Sequence, residues 1–285
     1  MSDPAPPTFD TIWFLSDYGL TDEFVGVVKG VVRNLAPSVT VIDLTHRVAP
    51  HDVRGGSLTL ARSMQYLSRG IVLAVVDPGV GSDRRAVVVE VGGDAQPADG
   101  ADPGPAGFLV GPDNGLLAPA VAMAGGARRA ITLDDPEYHL DAPGPTFAGR
   151  DIFGPAAAHL CNGVPLTTLG SAIDPLSLLP GLVPLSASSG DSVEAEVLWV
   201  DRFGNVQLNV DPDDLPSGDE ALVVQVAGRT RTARRVRTYD ELGTGQLGVL
   251  VDSYGLAALV CRRHSAAQEL GIGAGDAVRL AGQAG

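Results

Sequence analysis

Ile71–Val76 reads IVLAVV, an unbroken apolar run, and it is followed at once by Asp77-Pro78-Gly79-Val80-Gly81. A strand buried on one face alternates apolar and polar residues. A continuous run of this length, rich in branched side chains and closed by turn residues, is expected of a strand covered on both faces. Upstream, Thr11–Ser16 (TIWFLS) reads as a strand, and Glu23–Leu35 places Phe24, Val27, Val28, Val31, Val32 and Leu35 at helical spacing. Thr21 or Asp22 is the expected N-cap of that helix, and Pro37 ends it. Val39–Leu44 is the next strand and Asp52–Leu67 the next helix. Downstream come strands over Ala86–Val91, Phe108–Val110 and Ala130–Leu133. A turn at Pro112–Gly115 leads into a helix over Leu116–Ala124, and a further helix covers Asp151–Asn162, with Asp151 as its expected N-cap. Gly92–Gly107, rich in Gly, Pro and Asp, reads as a surface insertion. Strands alternating with helices predict an α/β layer whose sheet is mainly parallel, with helices on its flanks.

The pattern changes after Ile173. Residues 175–191 hold prolines and serines without periodicity and read as a linker between an α/β domain over 9–174 and a second domain over 192–282. In the latter, short segments at Val193–Val200, Val206–Val210, Leu222–Val226, Leu247–Leu250, Ala257–Val260 and Ala277–Leu280 are separated by turn signals. That spacing predicts an all-β, barrel-like or sandwich domain.

The 285 residues carry 34 acidic against 20 basic side chains, a formal net charge of -14. Such a balance opposes nucleic acid and anionic membrane surfaces as partners, but not a small cation. The N-terminus has no basic-then-apolar leader and no apolar stretch approaches a membrane span, so a cytoplasmic location is expected. Cys161 and Cys261 are isolated within apolar runs and read as buried thiols. The five histidines are scattered, with no HExxH and no Cys/His cluster, so no metal site is expected. His159, inside PAAAHL, reads as a core residue. GxSxG and a P-loop are absent, and the GVG of Gly79–Gly81 is not a dinucleotide fingerprint, because it does not extend to GxGxxG and a strand rather than a helix follows it.

The chemistry-bearing candidates lie at strand ends. Asp17 and Asp77 each follow a strand, where ligands gather in open α/β sheets. Taken singly, each is as readily an ordinary loop acid. Arg84, seven residues beyond Asp77 across a Gly-rich loop, is placed to fold back and hold that carboxylate ionised; a purely structural ion pair is the alternative. Gly111-Pro112-Asp113-Asn114-Gly115 makes a turn in which Asn114 is either a turn residue or a ligand contact. Asp201-Arg202-Phe203-Gly204-Asn205 joins two strands and combines a carboxylate, an aromatic ring and an amide, a set suited to a purine; an ordinary hairpin turn has the same spacing.

Together FLSDYGLTDEFVG, VIDLTHRVAPHDVRGGS, VVDPGVGSDRRAVVVE, VGPDNGLL, TFAGRDIFGPAAAHL and VDRFGNVQLNV resemble, in order and over about residues 11–281, the S-adenosylmethionine (SAM) hydroxide adenosyltransferases. These adenosine-forming SAM hydrolases are relatives of the fluorinase and chlorinase. The resemblance implies an N-terminal α/β domain, a C-terminal β-barrel and a homotrimer with active sites shared between subunits. The implied reaction uses SAM as substrate and no cofactor. Water attacks ribose C5′, and adenosine and methionine leave. Asp17 matches the family aspartate that holds the ribose hydroxyls. Asp201, Phe203 and Asn205 match the motif around methionine and adenine, and Ser253, with Tyr254 beside it, matches a contact to the methionine carboxylate. Gly149 and Asn114 fall in matching motifs near the substrate.

Asp77 and Arg84 match two members of the hydrolase triad; the third, usually histidine, is Ala148 here. That departure fits a natural variant, an inactivated form or a different nucleophile. The halogenases carry tyrosine at the position of Asp77, lack its Arg84 partner, and in the fluorinase place serine at Gly149. A carboxylate beside a halide is repulsive, about 4 kcal/mol for unit charges 4 Å apart at an effective dielectric of 20. Hydrolysis is therefore the expected activity. A SAM or adenosine binder without turnover, and a halide-dependent 5′-halo-adenosine synthase, are the alternatives.

Overall fold

In a computed structural model, residues 9–92, 107–182, 184–217 and 220–282 are described. The expected insertion at Gly92–Gly107 lies almost wholly outside them. The chain falls into two compact units, residues 1–182 and 183–285.

The first unit runs β1 (Thr11–Ser16), α1 (Phe24–Leu35), β2 (Thr40–Thr45), α2 (Val53–Met64), β3 (Gly70–Val75), β4 (Ala86–Val91), β5 (Gly107–Pro112), α3 (Ala118–Met123), β6 (Ala127–Thr132), α4 (Gly154–Cys161) and β7 (Ser171–Ile173). The sheet order is β2-β1-β3-β5-β4-β6-β7. Pairing is parallel from β2 through β1 and β3 to β5, and antiparallel at β4, β6 and β7. β6 thus points the same way as β5, and only β4 and β7 run against the rest. The apolar run at Ile71–Val76 is buried throughout because the sheet has a core on each side. Ile71, Leu73 and Val75 join Val28 and Val32 of α1 and Ala157 of α4. Val72, Ala74 and Val76 join Leu60 of α2 and Val121 of α3. The two-residue period of the strand sends alternate side chains into different cores.

Two caps differ from expectation. α1 is preceded by Glu23, which makes no side-chain cap, rather than being capped by Thr21 or Asp22. Asp151 is not a cap: it lies within a π-helical turn, Gly149–Phe153, that begins after Ala148 and runs straight into α4. The carboxylate of Asp151 is buried against the guanidinium of its neighbour Arg150 (Nη2–Oδ2 3.0 Å), which supplies the partner that a helix N-terminus would have supplied.

The second unit contains β8 (Ala187–Ser188), β9 (Ser192–Val200), β10 (Val206–Leu208), β11 (Ala221–Val226), β12 (Arg229–Arg235), β13 (Leu247–Val251), β14 (Ala257–Cys261), α5 (Ala266–Leu270) and β15 (Ala277–Gly282). Seven strands close in the order β10-β14-β13-β12-β11-β15-β9 and back to β10, with β8 added outside β9. The ring is a β-barrel, and Val193, Val206, Val224, Leu259 and Leu280 fill it. All its pairings are antiparallel except β12–β13, where Arg234 and Arg235 pair in parallel with Gly248 and Val249. Both cysteines are buried and free. Burial, with a contribution from Asp10, pushes the Cys161 thiol up to about 12, consistent with an unreactive core position.

Candidate active site

β1 and β3 are parallel neighbours with Ser16 beside Val75, so Asp17 and Asp77 emerge from the same sheet edge. The loop after Asp77 turns back twice. Val80 N–H donates to the Asp77 carbonyl (3.2 Å) and Ser82 N–H to that of Gly79 (3.1 Å). Arg84 therefore returns to the carboxylate it left. Its Nε donates to both oxygens of Asp77 at 2.8 and 3.0 Å, and Nη2 reaches Oδ2 at 2.5 Å. The guanidinium also lies 5.2 Å from the Phe153 ring centre. The fold-back expected from the Gly-rich spacing is present, with both side chains largely buried.

Asp17, Asp77, Ala148 and Gly149 line one cavity of about 690 Å³. His51 faces it in a left-handed backbone conformation, φ 68°, and its N–H donates to Oδ2 of Asp17 (2.9 Å). Tyr18, Phe24 and Phe147 form an aromatic wall with ring centres 5.2–5.9 Å apart. Burial, and then the carboxylates of Asp17 and Asp77, push the Tyr18 phenol well above its ordinary range; the Gly149 backbone hydrogen bond and Arg84 oppose this only in part. Tyr18 is therefore a neutral phenol at any working pH. A Cβ at residue 149 would overlap the Tyr18 hydroxyl, so glycine is needed where the π-helical turn meets this ring.

Ala148 is buried and lines this cavity and a second one of about 370 Å³ beside Arg84, Thr132 and Asp151. Asn114 lies outside the lining of the larger cavity. Its amide donates to the Val76 carbonyl (2.9 Å) and its side-chain oxygen accepts from Leu116 N–H (3.1 Å). It thereby fixes the strand end that carries Asp77.

In the second unit the DRFGN loop is organised by its own carboxylate. Asp201 accepts from the backbone N–H of Phe203 (2.8 Å) and of Asn205 (2.9 Å), and from Nδ2 of Asn205 (2.7 Å). Gly204 has φ +83°, and a side chain there would strike Ser265 at the start of α5. Phe203 is left 76% exposed. Asp201, Asn205, Ser253 and Tyr254 line a cavity of about 390 Å³. Phe203 instead lines an adjoining one of about 770 Å³, shared with Asp201 and Asn205. Asp252 pins the Ser253-Tyr254 turn by accepting from Tyr254 N–H (2.8 Å), and Tyr254 packs edge-on to Trp199 at 6.3 Å.

Residues 12–170 match the family model for the SAM hydroxide adenosyltransferase N-terminal domain, and residues 195–279 that for the C-terminal domain. The chain belongs to this family. A relative in Salinispora tropica, named (R)-S-adenosyl-L-methionine hydrolase, is 42% identical over 94% of this chain and 97% of its own length. A fluorinase of an Actinoplanes species is more distant, 30% identical over 72% of each chain. The crystal structure of an uncharacterized conserved protein from Thermotoga maritima has a TM-score of 0.83 and 32% identity, covering 95% of this chain and all of its own. The family motifs do not single out Tyr18, His51, Phe147, Trp199 or Asp252. Tyr18 and Phe147 stand within quoted motifs, but their meeting is tertiary and leaves no spacing to read. Among the described residues no three His, Cys, Asp or Glu side chains gather as metal ligands would, and no helix is long and apolar enough to cross a membrane.

Proposed function

We propose that the chain hydrolyses S-adenosyl-L-methionine to adenosine and L-methionine, and that its substrate is the (R)-sulfonium epimer named for its relatives. The observation that carries this reading is the Asp77–Arg84 pair, whose carboxylate lines the same cavity as Asp17. Arg84 occupies one side of the carboxylate. The lone pairs that remain orient a water toward C5′ and receive its proton, directly or by way of solvent. A bond forms from water oxygen to C5′ as the C5′–S bond breaks. The electron pair goes to sulfur, so methionine leaves as a neutral thioether and no acid is required. Most of the rate then comes from holding water and carbon in line about 3–3.5 Å apart. The aromatic wall of Tyr18, Phe24 and Phe147 suits a sulfonium cation.

Asp17 holds the ribose hydroxyls in this reading, while Asp201, Phe203, Asn205, Ser253 and Tyr254 hold adenine and methionine. Gly149 keeps Tyr18 in place, and Asn114 acts through the strand end rather than on substrate. The assembly belonging to this reading is a homotrimer with sites completed between subunits. The net charge of -14 fits the absence of a nucleic-acid partner, and a cytoplasmic location belongs to the same reading.

The test is chromatography of the (R) and (S) epimers incubated separately with the protein, with and without chloride. Equal adenosine and methionine from the (R) epimer, independent of chloride, is the expected result. Intact substrate that nevertheless binds would assign a binding protein instead, and a 5′-chloro product would assign a halogenase. Asp17→Ala should weaken adenosine binding in calorimetry, and unchanged affinity would remove the ribose assignment.

A further inference from the structure

His46 takes no part in the cavity, yet it is 3% exposed and tied to polar groups on both sides. Its Nε2 lies 3.1 Å from Oδ1 of Asp43, at ion-pair distance though off the line of a good hydrogen bond. Oδ2 of Asp43 accepts from Nζ of Lys29 on α1 (2.6 Å). A carboxylate can only accept, so the neutral tautomer that this contact favours carries its proton on Nε2 and leaves Nδ1 as an acceptor. Nδ1 lies 2.8 Å from Oγ of Ser16, which in that tautomer donates to it. The lone pairs of that hydroxyl then face the backbone N–H of Tyr18, which donates at 3.3 Å. The backbone carbonyl of His46 separately accepts from Gly19 N–H at 2.7 Å.

Serine, histidine and aspartate in this order form a hydrolase triad elsewhere. Here Ser16 is 0% exposed and its oxygen is already occupied by Tyr18 N–H, so it cannot reach an acyl carbon. What the chain of contacts does is hold residues 16–19. Asp17 stands in the middle of that turn, pinned before and after by His46, the residue just beyond β2. The Phe14 ring, edge-on to the imidazole at 4.6 Å, keeps the ring plane fixed.

We infer that His46 is a positioning residue for substrate binding: through Ser16 it sets the Asp17–Tyr18 turn, and Asp43 with Lys29 fixes the tautomer it needs. This rests on the reading of Asp17 as the ribose carboxylate. Adenosine affinity by calorimetry, with KM and kcat on SAM, tests it in the full-length protein. His46→Ala and Ser16→Ala should each raise the adenosine Kd and KM about tenfold, the worth of roughly one oriented hydrogen bond. kcat should stay within about threefold, because Asp77 and Arg84 are not moved. His46→Asn places an amide oxygen near the Nδ1 position and should restore most of the affinity. His46→Gln reaches toward Asp43 instead and should not. A residue needed only for folding would lower the melting midpoint in all four variants alike, with no split between Asn and Gln.

Wild-type Kd and KM in both Ser16→Ala and His46→Ala, with Asp17→Ala weakened, overturns the positioning role alone. Unchanged binding in Asp17→Ala overturns the ribose reading and the positioning role together. Equal losses in Asn and Gln also overturn the role assigned to Nδ1.

Discussion

At the scale of single residues the cavity is built from contacts that tolerate little change. Asp77→Asn keeps the shape but loses the charge that pairs with Arg84 and that, in the proposed reaction, takes up the proton. We expect kcat to fall on the order of 10²-fold while adenosine affinity is retained, a split that steady-state kinetics and calorimetry would show. Gly149→Ser drives a side chain into the Tyr18 hydroxyl. Tyr18 must then leave the wall it shares with Phe24 and Phe147. Overpacking of this kind costs about 1–3 kcal/mol, and here a rise in KM should accompany the fall in melting midpoint. Ala148→His adds an imidazole at the boundary of two cavities with room on both sides. If it joins Asp77 and Arg84, turnover rises. Unchanged turnover would mean that the site works as built around alanine.

At the scale of elements, what was legible depended on whether burial wrote the pattern. β3 and α1 are apolar because they face cores, and their spans follow from the sequence to within a residue or so. β12 reads RTRTARR and carries no such mark: it is held by its ladder to β11, and only Ala233 of its side chains is buried. α5 is a single short turn that Ser265 caps and Gly271 closes, too brief for periodicity to appear. The site divides in the same way. Asp77 and Arg84 are seven residues apart and their pairing could be read from the loop, whereas the meeting of Tyr18 with Gly149 spans the fold. The weight carried by β3 can be measured. Leu73→Ala opens space in a core shared with α1 and α4, and should cost about 2–5 kcal/mol in denaturant unfolding.

For the whole molecule, acid is the condition that tests the charge arrangement. His139 and His159 are shifted below their ordinary value of 6.5, in both cases chiefly by burial, with Asp135 and Asp134 opposing this at His139. The unfolded chain therefore takes up these protons first. Stability is complete above about pH 6.5 and declines as the pH falls below it. Asp43 adds a second step. Burial raises its carboxyl, but Lys29 and His46 outweigh this and hold it below 3.8, so its contribution disappears only as the pH falls below that value. The melting midpoint should drop between pH 7 and 5, and His159→Gln, neutral throughout, should flatten that first slope. A midpoint constant across this range would mean that neither histidine is held neutral by the fold.

The parallel join between β12 and β13 has a kinetic consequence. A ring of strands can open only by parting somewhere, and this join registers just two residue pairs where β11 and β12 register six. Amide deuteration under native conditions should therefore label Val236, whose N–H donates across this join to the Val249 carbonyl (3.0 Å), well before the amides of the β11–β12 ladder. The β10–β14 join also registers only two pairs, so the barrel would breathe at its short joins while its longer ladders stay closed.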